Sequence, residues 1–534
     1  MVSLFLQLFE EQDLFTLSLL GFLLVSTTLF LVKRSMELKK PVPNLPSPPD
    51  SHWLLGHALT LISPPFFDNM AKLAVNSANE HGQVGFWMVN RPFIGITHWE
   101  DAREVERNEV VRDFPFVFER LLSRFVGKKS FVLLNGPEWK LYRAAVSKSL
   151  GPSFMLKTRS IAARLTQEWI QQQAYDENGA IVLDVFAMLK AHLVDVFGQA
   201  GFDRKFEAPA RIAETYDNLT ADFTSRLLDP FNPCAMFYQI PTTRNTKHRQ
   251  DKQWLTNFLD SAAKQRLQEM AANNDEGQKF DDPFSRVLKA YLQHKKTNTE
   301  MTEAEHDKSL NDILTSLLLA GHDATSIVVT YSLYLLAKHP QYQQLCFEEI
   351  QQQQQQEDND HCLDPSQLHY CRAVVSEAMR LYSPDPVATR QLQKDHTLKG
   401  GIVAPKGTTV MVNVCMMHRN PEFWPQPAEF RPDRWVCRSN DKEAWVPRDE
   451  NNNKDDNNST IAKANRNAFH PFSVGPRNCP GDKLGMDLTT IVLATLIKEL
   501  EVSLLPNQPE VEPAFYGVVQ KPRRGVTLKL SKRG

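Results

Sequence analysis

Little in this 534-residue sequence points to a cysteine-built or glycine-built scaffold. Its seven cysteines form no CxxC pair and none of the spacings that hold zinc, so neither a disulfide-dense secreted fold nor a zinc module fits them, and they read as reduced intracellular thiols. Charge of one sign is missing too. Lys+Arg 61 against Asp+Glu 63 leaves a net charge of −2, so no basic field draws the chain to nucleic acid. No repeat at a period of 20–50 residues is visible, which excludes a solenoid. What is present, 42% hydrophobic, 23% charged and 10% aromatic residues, matches an ordinary globular chain with a large core.

The first long uncharged run is Leu14 to Val32, at a 1.5 Å rise roughly 29 Å, one hydrocarbon core. Glu10, Glu11 and Asp13 precede it and Lys33, Arg34, Lys39 and Lys40 follow it, so the positive-inside rule puts the rest of the chain in the cytosol. A cleaved signal peptide is the alternative, but the basic n-region is missing. The division expected is an N-terminal segment 1–13, a transmembrane anchor 14–32, a basic and proline-rich hinge 33–50, and a body 51–534 with a polar insertion around 438–467. The hinge contains PVPNLPSPP, whose prolines favour an extended spacer. Gln351–Gln356 and the Asn/Asp tract 451–458 read as solvent-exposed insertions.

The body is expected to be mainly α with small β-sheets. Apolar residues recur three and four apart in Arg159–Gln173, Gln253–Ala272 and Gly485–Leu500, and strand patterns cover Val84–Val89, Phe93–Thr97 and Thr408–Val414. Thr302 and Glu305 have capping-box spacing, so a helix is expected from there to His339. Apolar nearly all round, it carries Gly321, His322, Asp323, Thr325 and Ser326 in its middle. A carboxylate in such a helix costs several kcal/mol unless something polar meets it, which points to proton handling.

Cys479 stands just ahead of the helical run Asp482–Leu500, in FSVGPRNCPG. Unpaired N–H groups at a helix N-terminus and the positive charge of Arg477 favour a thiolate there. A thiolate in a glycine-rich loop without an adjacent base suits metal ligation.

Phe472, Gly475, Arg477, Cys479 and Gly481 stand in the order and spacing of the haem-binding signature of the cytochrome P-450 family, and the chain resembles that family over essentially its whole length. Glu377 and Arg380 resemble its E-x-x-R pair, with Arg434 as third partner. Trp139 and Arg143 match its W-x-x-x-R element, which with Arg390 reaches the haem propionates. Ala320-Gly321-His322-Asp323 matches the start of its oxygen-binding helix motif. The resemblance implies the cytochrome P-450 fold, haem b ligated by Cys479, proton delivery involving Asp323 and Thr325, and a substrate pocket including Ala320, Ala324, Val387 and Ala388. Phe114, Phe116, Phe118, Phe125 and Phe131 lie in a region that covers the haem pocket in relatives.

The family's usual threonine is here Ala324, with Thr325 one residue on, a rotation of about 100°. A helix kinked at Gly321 would let Thr325 or a water substitute. The reading that follows is a membrane-anchored haem-thiolate monooxygenase of the endoplasmic reticulum, hydroxylating a lipophilic substrate (fatty acid, sterol or terpenoid), with wording nearest the fatty-acid hydroxylase branch. Its partners would be membrane lipid and an NADPH-dependent flavoprotein reductase docking near Lys140 and Lys483. A haem-thiolate isomerase or dehydratase of lipid peroxides, which needs no reductase, is the runner-up because of Ala324. A non-catalytic haem sensor is third.

Overall fold

A computed structural model describes residues 21–23, 25–33, 44–49, 52, 56–58, 60, 69, 71, 73–88, 91–114, 116–227, 238–272, 280–356, 363–438, 445–447, 464–516 and 519–533. Helices dominate, and small sheets fasten their ends. The first sheet runs in the order β1 (Gln83–Met88), β2 (Arg91–Ile96), β5 (Thr409–Val412), β4 (Ala388–Gln391). β2 and β5 pair in parallel with Phe93 opposite Thr409, while β4 pairs antiparallel with β5, Ala388 opposite Val412. A second sheet lays β9 (Thr527–Lys532) between β6 (Leu500–Ser503) and β3 (Ala180–Asp184), tying the carboxyl end to the first half of the chain. β7 (Pro513–Tyr516) and β8 (Val519–Pro522) form a separate hairpin. The three expected strands are all present, the last ending at Val412 where a short helix, Val414–Met417, takes over.

Eight helices position the site: α1 (Trp99–Asn108), α2 (Gly136–Ser149), α3 (Pro152–Gln172), α4 (Val185–Gly201), α5 (Pro209–Leu227), α6 (Glu303–Lys338), α7 (His369–Leu381) and α8 (Asp482–Glu499). Their starts follow from local chemistry. Prolines stand in the first turns of α2 and α3, where a missing N–H costs nothing. Asp184 accepts from the Phe186 N–H at 3.0 Å to open α4. At α6 the capping box is complete: Thr302 Oγ1 accepts from the Glu305 N–H, and the Glu305 carboxylate accepts from the Thr302 N–H at 2.9 Å.

α6 runs unbroken for 36 residues through the middle of the body, packed on α4, α7 and α8. It is the one described helix long and apolar enough to cross a membrane, but its most apolar stretch is 78% buried in the body, which makes it a core helix. The expected anchor 14–32 lies partly outside the described residues. From Gly21 to Lys33 the described residues form an apolar helix shorter than a full span, with Phe22, Val25, Leu29 and Phe30 exposed.

The described end of the proline-rich segment is attached to the body. Leu45 is buried among Ile94, Ile96 and Ala102, and the Pro46 carbonyl accepts from the Gly85 N–H at 2.8 Å. The glutamine tract finishes the helix Pro340–Gln356, and here one expectation is corrected: Gln353 is buried and donates to the Asp364 carbonyl at 3.2 Å. Its spacing puts it on the inward face, where an amide is kept because it finds an acceptor. Most of the polar insertion, including 451–458, lies outside the described residues; Trp445–Pro447 pairs with Val436–Arg438.

Candidate active site

The segment before α8 is a tight loop held at both ends. The His470 N–H donates to Nε2 of buried His418 at 2.9 Å, and the Cys479 N–H donates to the Phe472 carbonyl at 2.8 Å. The Phe472 ring lies beside Gly485 in the first turn of α8. Gly475 has φ +77°, and a Cβ there would stand 2.3 Å from the Glu106 carbonyl oxygen, so the loop's approach to α1 requires glycine. Gly475→Ala is expected to lose at least about 1–2 kcal/mol, the cost of a left-handed residue, before the clash is counted. Thermal unfolding and haem content after expression check it.

Cys479 keeps accessible surface although protein surrounds it, so its sulfur faces an interior cavity. Burial pushes the thiol up, against the Gly481 N–H, Arg143 and Arg112, which favour the anion, while Asp482 opposes it. Arg477 points elsewhere: Nε donates to the Val110 carbonyl and an Nη to the Leu134 carbonyl, both at 2.7 Å, with the guanidinium 3.9 Å over the Trp139 ring.

Four arginines crowd this region. Arg143 donates to the Asn478 carbonyl at 2.5 Å and to its Oδ1 at 2.6 Å, clamping the residue before Cys479. Arg390 donates to Ser473 Oγ at 2.9 Å and lies 3.9 Å from buried Glu106. Arg112, which no motif pointed to, has its backbone N–H and C=O both bonded to the Asn135 amide at 3.0 Å. Burial, then the mutual repulsion of Arg112, Arg390 and Arg143, pushes Arg477 down to about 9. Burial, then Arg112, pushes Arg390 down to about 10, with Glu106 and Asp385 opposing. Arg390 Nε and Arg477 Nη1 are buried with no partner among the described residues. Guanidinium atoms left unsatisfied beside an accessible cysteine fit a cofactor that brings carboxylates and a metal, as haem does.

Across the middle of α6 the residues sort by face. Ala320 is exposed and Ala324 half-buried, one turn apart, in a helix otherwise buried there. A Cβ at Gly321 would meet the Phe197 ring at 2.3 Å, so this glycine admits α4 and no kink follows. His322 Nδ1 bonds the Leu318 carbonyl at 2.6 Å, and burial pushes its pKa down to about 4, leaving it neutral. Asp323 lies 3.0 Å from Lys190 Nζ of α4. Burial pushes Asp323 up, but Lys190, Lys521 and His322 outweigh it and bring it to about 2. Lys190 and Lys521 both also bind Asp217 of α5, at 2.5 and 2.6 Å. Thr325 is buried two residues past Asp323, about 200° round an unbroken helix, so the two do not share a face.

The structure brings Glu377, Arg380 and Arg434 together. Arg380 makes two 2.8 Å bonds to the Glu377 carboxylate, Arg434 Nε donates to it at 3.0 Å, and so does the Trp435 indole N–H, a partner the sequence did not disclose. Val387 is half-buried and Ala388 buried at the start of β4. Of the phenylalanines before Trp139, Phe125 is core, packed edge-on to Tyr216; Phe118 packs edge-on to Phe223; and the Phe116 side chain lies outside the described residues. A groove of about 600 Å³ lined by Tyr334, His339, Tyr382 and Phe430 also takes in Glu429 and Arg431, which bond the Arg380–Glu377 pair, and includes no residue of the cysteine loop.

The family profile described as Cytochrome P450 matches residues 46–528. Among curated proteins the chain is similar to Cytochrome P450 4A24 of Sus scrofa, 27% identical over 539 residues and 96% of each chain. It is likewise similar to Cytochrome P450 4B1 of Rattus norvegicus, 24% identical over 94% of this chain and 92% of that one. A third relative, the taurochenodeoxycholic 6 alpha-hydroxylase of Sus scrofa, is 27% identical over 96% of each.

Proposed function

The chain belongs to the cytochrome P450 family, monooxygenases carrying haem b on a cysteine thiolate, and on that premise we propose that it hydroxylates a lipophilic substrate, a fatty acid, sterol or terpenoid. One observation carries the reading: Cys479 opens onto an interior cavity between guanidiniums with unsatisfied buried nitrogens. Cys479 would hold the iron and Arg390 and Arg477 the propionates; Trp139 lies beneath Arg477 and Phe472 packs behind the loop. Arg143 fixes Asn478, which fixes the ligand.

Bound haem supplies activation of dioxygen, with the thiolate raising electron density at the metal. The chain's own residues supply orientation and proton control. Ala320 and Ala324, the less buried residues of mid-α6, offer a strip for substrate, and Val387 and Ala388 would line the same pocket. Asp323 is ionised beside that strip. Lys190 joins it to Asp217, whose side chain is 38% exposed, so Asp217, Lys190 and Asp323 make a continuous chain of paired charges from solvent to α6 that keeps Asp323 ionised. Thr325, on another face, is not part of this chain. Electrons come from a separate NADPH-dependent flavoprotein reductase, docking where Lys140 and Lys483 are exposed. The apolar run 14–32 anchors the body to the endoplasmic reticulum membrane; the relatives' match over nearly their full length supports this arrangement.

The test is turnover under oxygen-18 gas with detergent-solubilised enzyme, a generic NADPH-dependent reductase and a panel of fatty acids, sterols and terpenoids. Labelled, NADPH-dependent product is expected. Reductase-independent consumption of lipid hydroperoxides without label would refute oxygenation.

A further inference from the structure

The turn between α7 and β4 is held by its neighbours on both sides. The Pro384 carbonyl accepts from the Gln520 N–H at 2.8 Å, and the Pro386 carbonyl from the Cys415 N–H at 3.1 Å. Both prolines are buried, and each fixes its own φ. Asp385 between them is the exception. It keeps accessible surface although protein surrounds it, as Cys479 does, and Arg112 is within electrostatic reach of both. Asp385 therefore faces the same interior region as the cysteine.

Its surroundings leave it short of partners. Among the described residues no side chain hydrogen-bonds it. Burial pushes its carboxyl up to about 6, with Glu106 adding to the shift, and Arg112, Arg390 and the Val387 N–H hold it lower. Val387 and Phe515 both pack against the buried cluster that holds Phe86, Phe93 and Met411, so the adjoining wall is apolar. Gln520, whose backbone clamps the turn, is fully buried, and neither polar atom of its side chain has a partner among the described residues. An apolar wall interrupted by a carboxylate that has only the Val387 N–H as donor is costly to cover with hydrocarbon, because water leaves and nothing replaces it.

We infer that Asp385 is a specificity-determining residue: it selects a lipophilic substrate that carries a hydrogen-bond donor, a hydroxyl above all, at the end lying against Val387 and Ala388. A bare alkyl end there takes water from the carboxylate and leaves it the Val387 N–H alone as donor, and a carboxylate end meets like charge. The inference rests on the haem-thiolate reading and narrows its substrate class.

Isothermal titration of the haem-loaded enzyme with dodecanoic acid and 12-hydroxydodecanoic acid tests it, since these probes share a head group and differ only in the terminal hydroxyl. The wild type is expected to bind the hydroxylated probe about tenfold tighter, a discrimination within reach of a site built to pair a hydroxyl. Asp385→Leu brings the ratio to one or below, and Asp385→Asn, which keeps an acceptor, retains part of it. An unchanged ratio in Asp385→Leu overturns the inference, as does failure of both probes to bind a wild type with a normal thiolate spectrum. Loss of the carbon-monoxide thiolate spectrum in both variants would make Asp385 a brace for the arginines and overturn it too. A wild type lacking that spectrum sinks the haem-thiolate reading itself, a result separable from a lost ratio.

Discussion

Glu377→Ala is expected to yield no recoverable haem-loaded protein. The Glu377 side chain is wholly buried, as is that of Arg380, and Arg434 is 1% exposed. Arg380 also donates to the carbonyls of His418, Pro427 and Glu429, so the guanidinium cannot leave without breaking the loops that precede the cysteine segment. Removing the carboxylate strands two like charges in the core and takes the acceptor from the Trp435 indole and the Arg431 N–H. Breaking one buried pair costs about 3–5 kcal/mol. Here one acid serves two cations, and the whole stability of a folded domain is about 5–15 kcal/mol. Haem content and thermal unfolding of membrane fractions check this, with Glu377→Gln expected to fail nearly as badly because it loses the charge and turns an NH2 donor toward N–H groups that now find an oxygen.

Cys479→Ser is expected to act in the opposite way, sparing the fold and removing the chemistry. Cys346, Cys371 and Cys415 are buried and Cys437 lies on the strand Val436–Arg438, which leaves Cys479 as the described cysteine with an exposed side chain. The backbone bond from its N–H to Phe472 does not depend on the side chain. The apoprotein should therefore unfold within about 0.5 kcal/mol of the wild type, as surface substitutions do. The carbon-monoxide difference spectrum should lose its thiolate band entirely, and oxygen-18 incorporation should fall to background.

What the sequence disclosed was what short-range chemistry determines. The Thr302–Glu305 cap, the strands of the first sheet and the Glu377–Arg380 pair join residues a few positions apart, and the cysteine loop is a contiguous signature. Asp323 was recognisable as a buried acid needing a partner. Its partner was not, because Lys190 and Asp217 come from α4 and α5 and Lys521 from β8, and only packing brings them together. Arg112 and Glu106 were missed for the same reason: a lone arginine after α1 and a glutamate within it carry no local sign that the cysteine loop will fold over them. Gln353 shows the reverse error. A polar tract reads as solvent-facing from composition alone, yet helical geometry turns one residue in four inward.

The attachment of Leu45 and Pro46 to the body has a mechanical consequence. On the proposed membrane anchor, the described part of the apolar helix reaches Lys33 and the chain is fastened again at Leu45. The stretch between them, fully drawn out at about 3.3–3.6 Å per residue, spans no more than about 45 Å. The catalytic body is thus on a short leash, close enough to the bilayer that a lipid-dissolved substrate would enter it from the membrane surface without crossing much water.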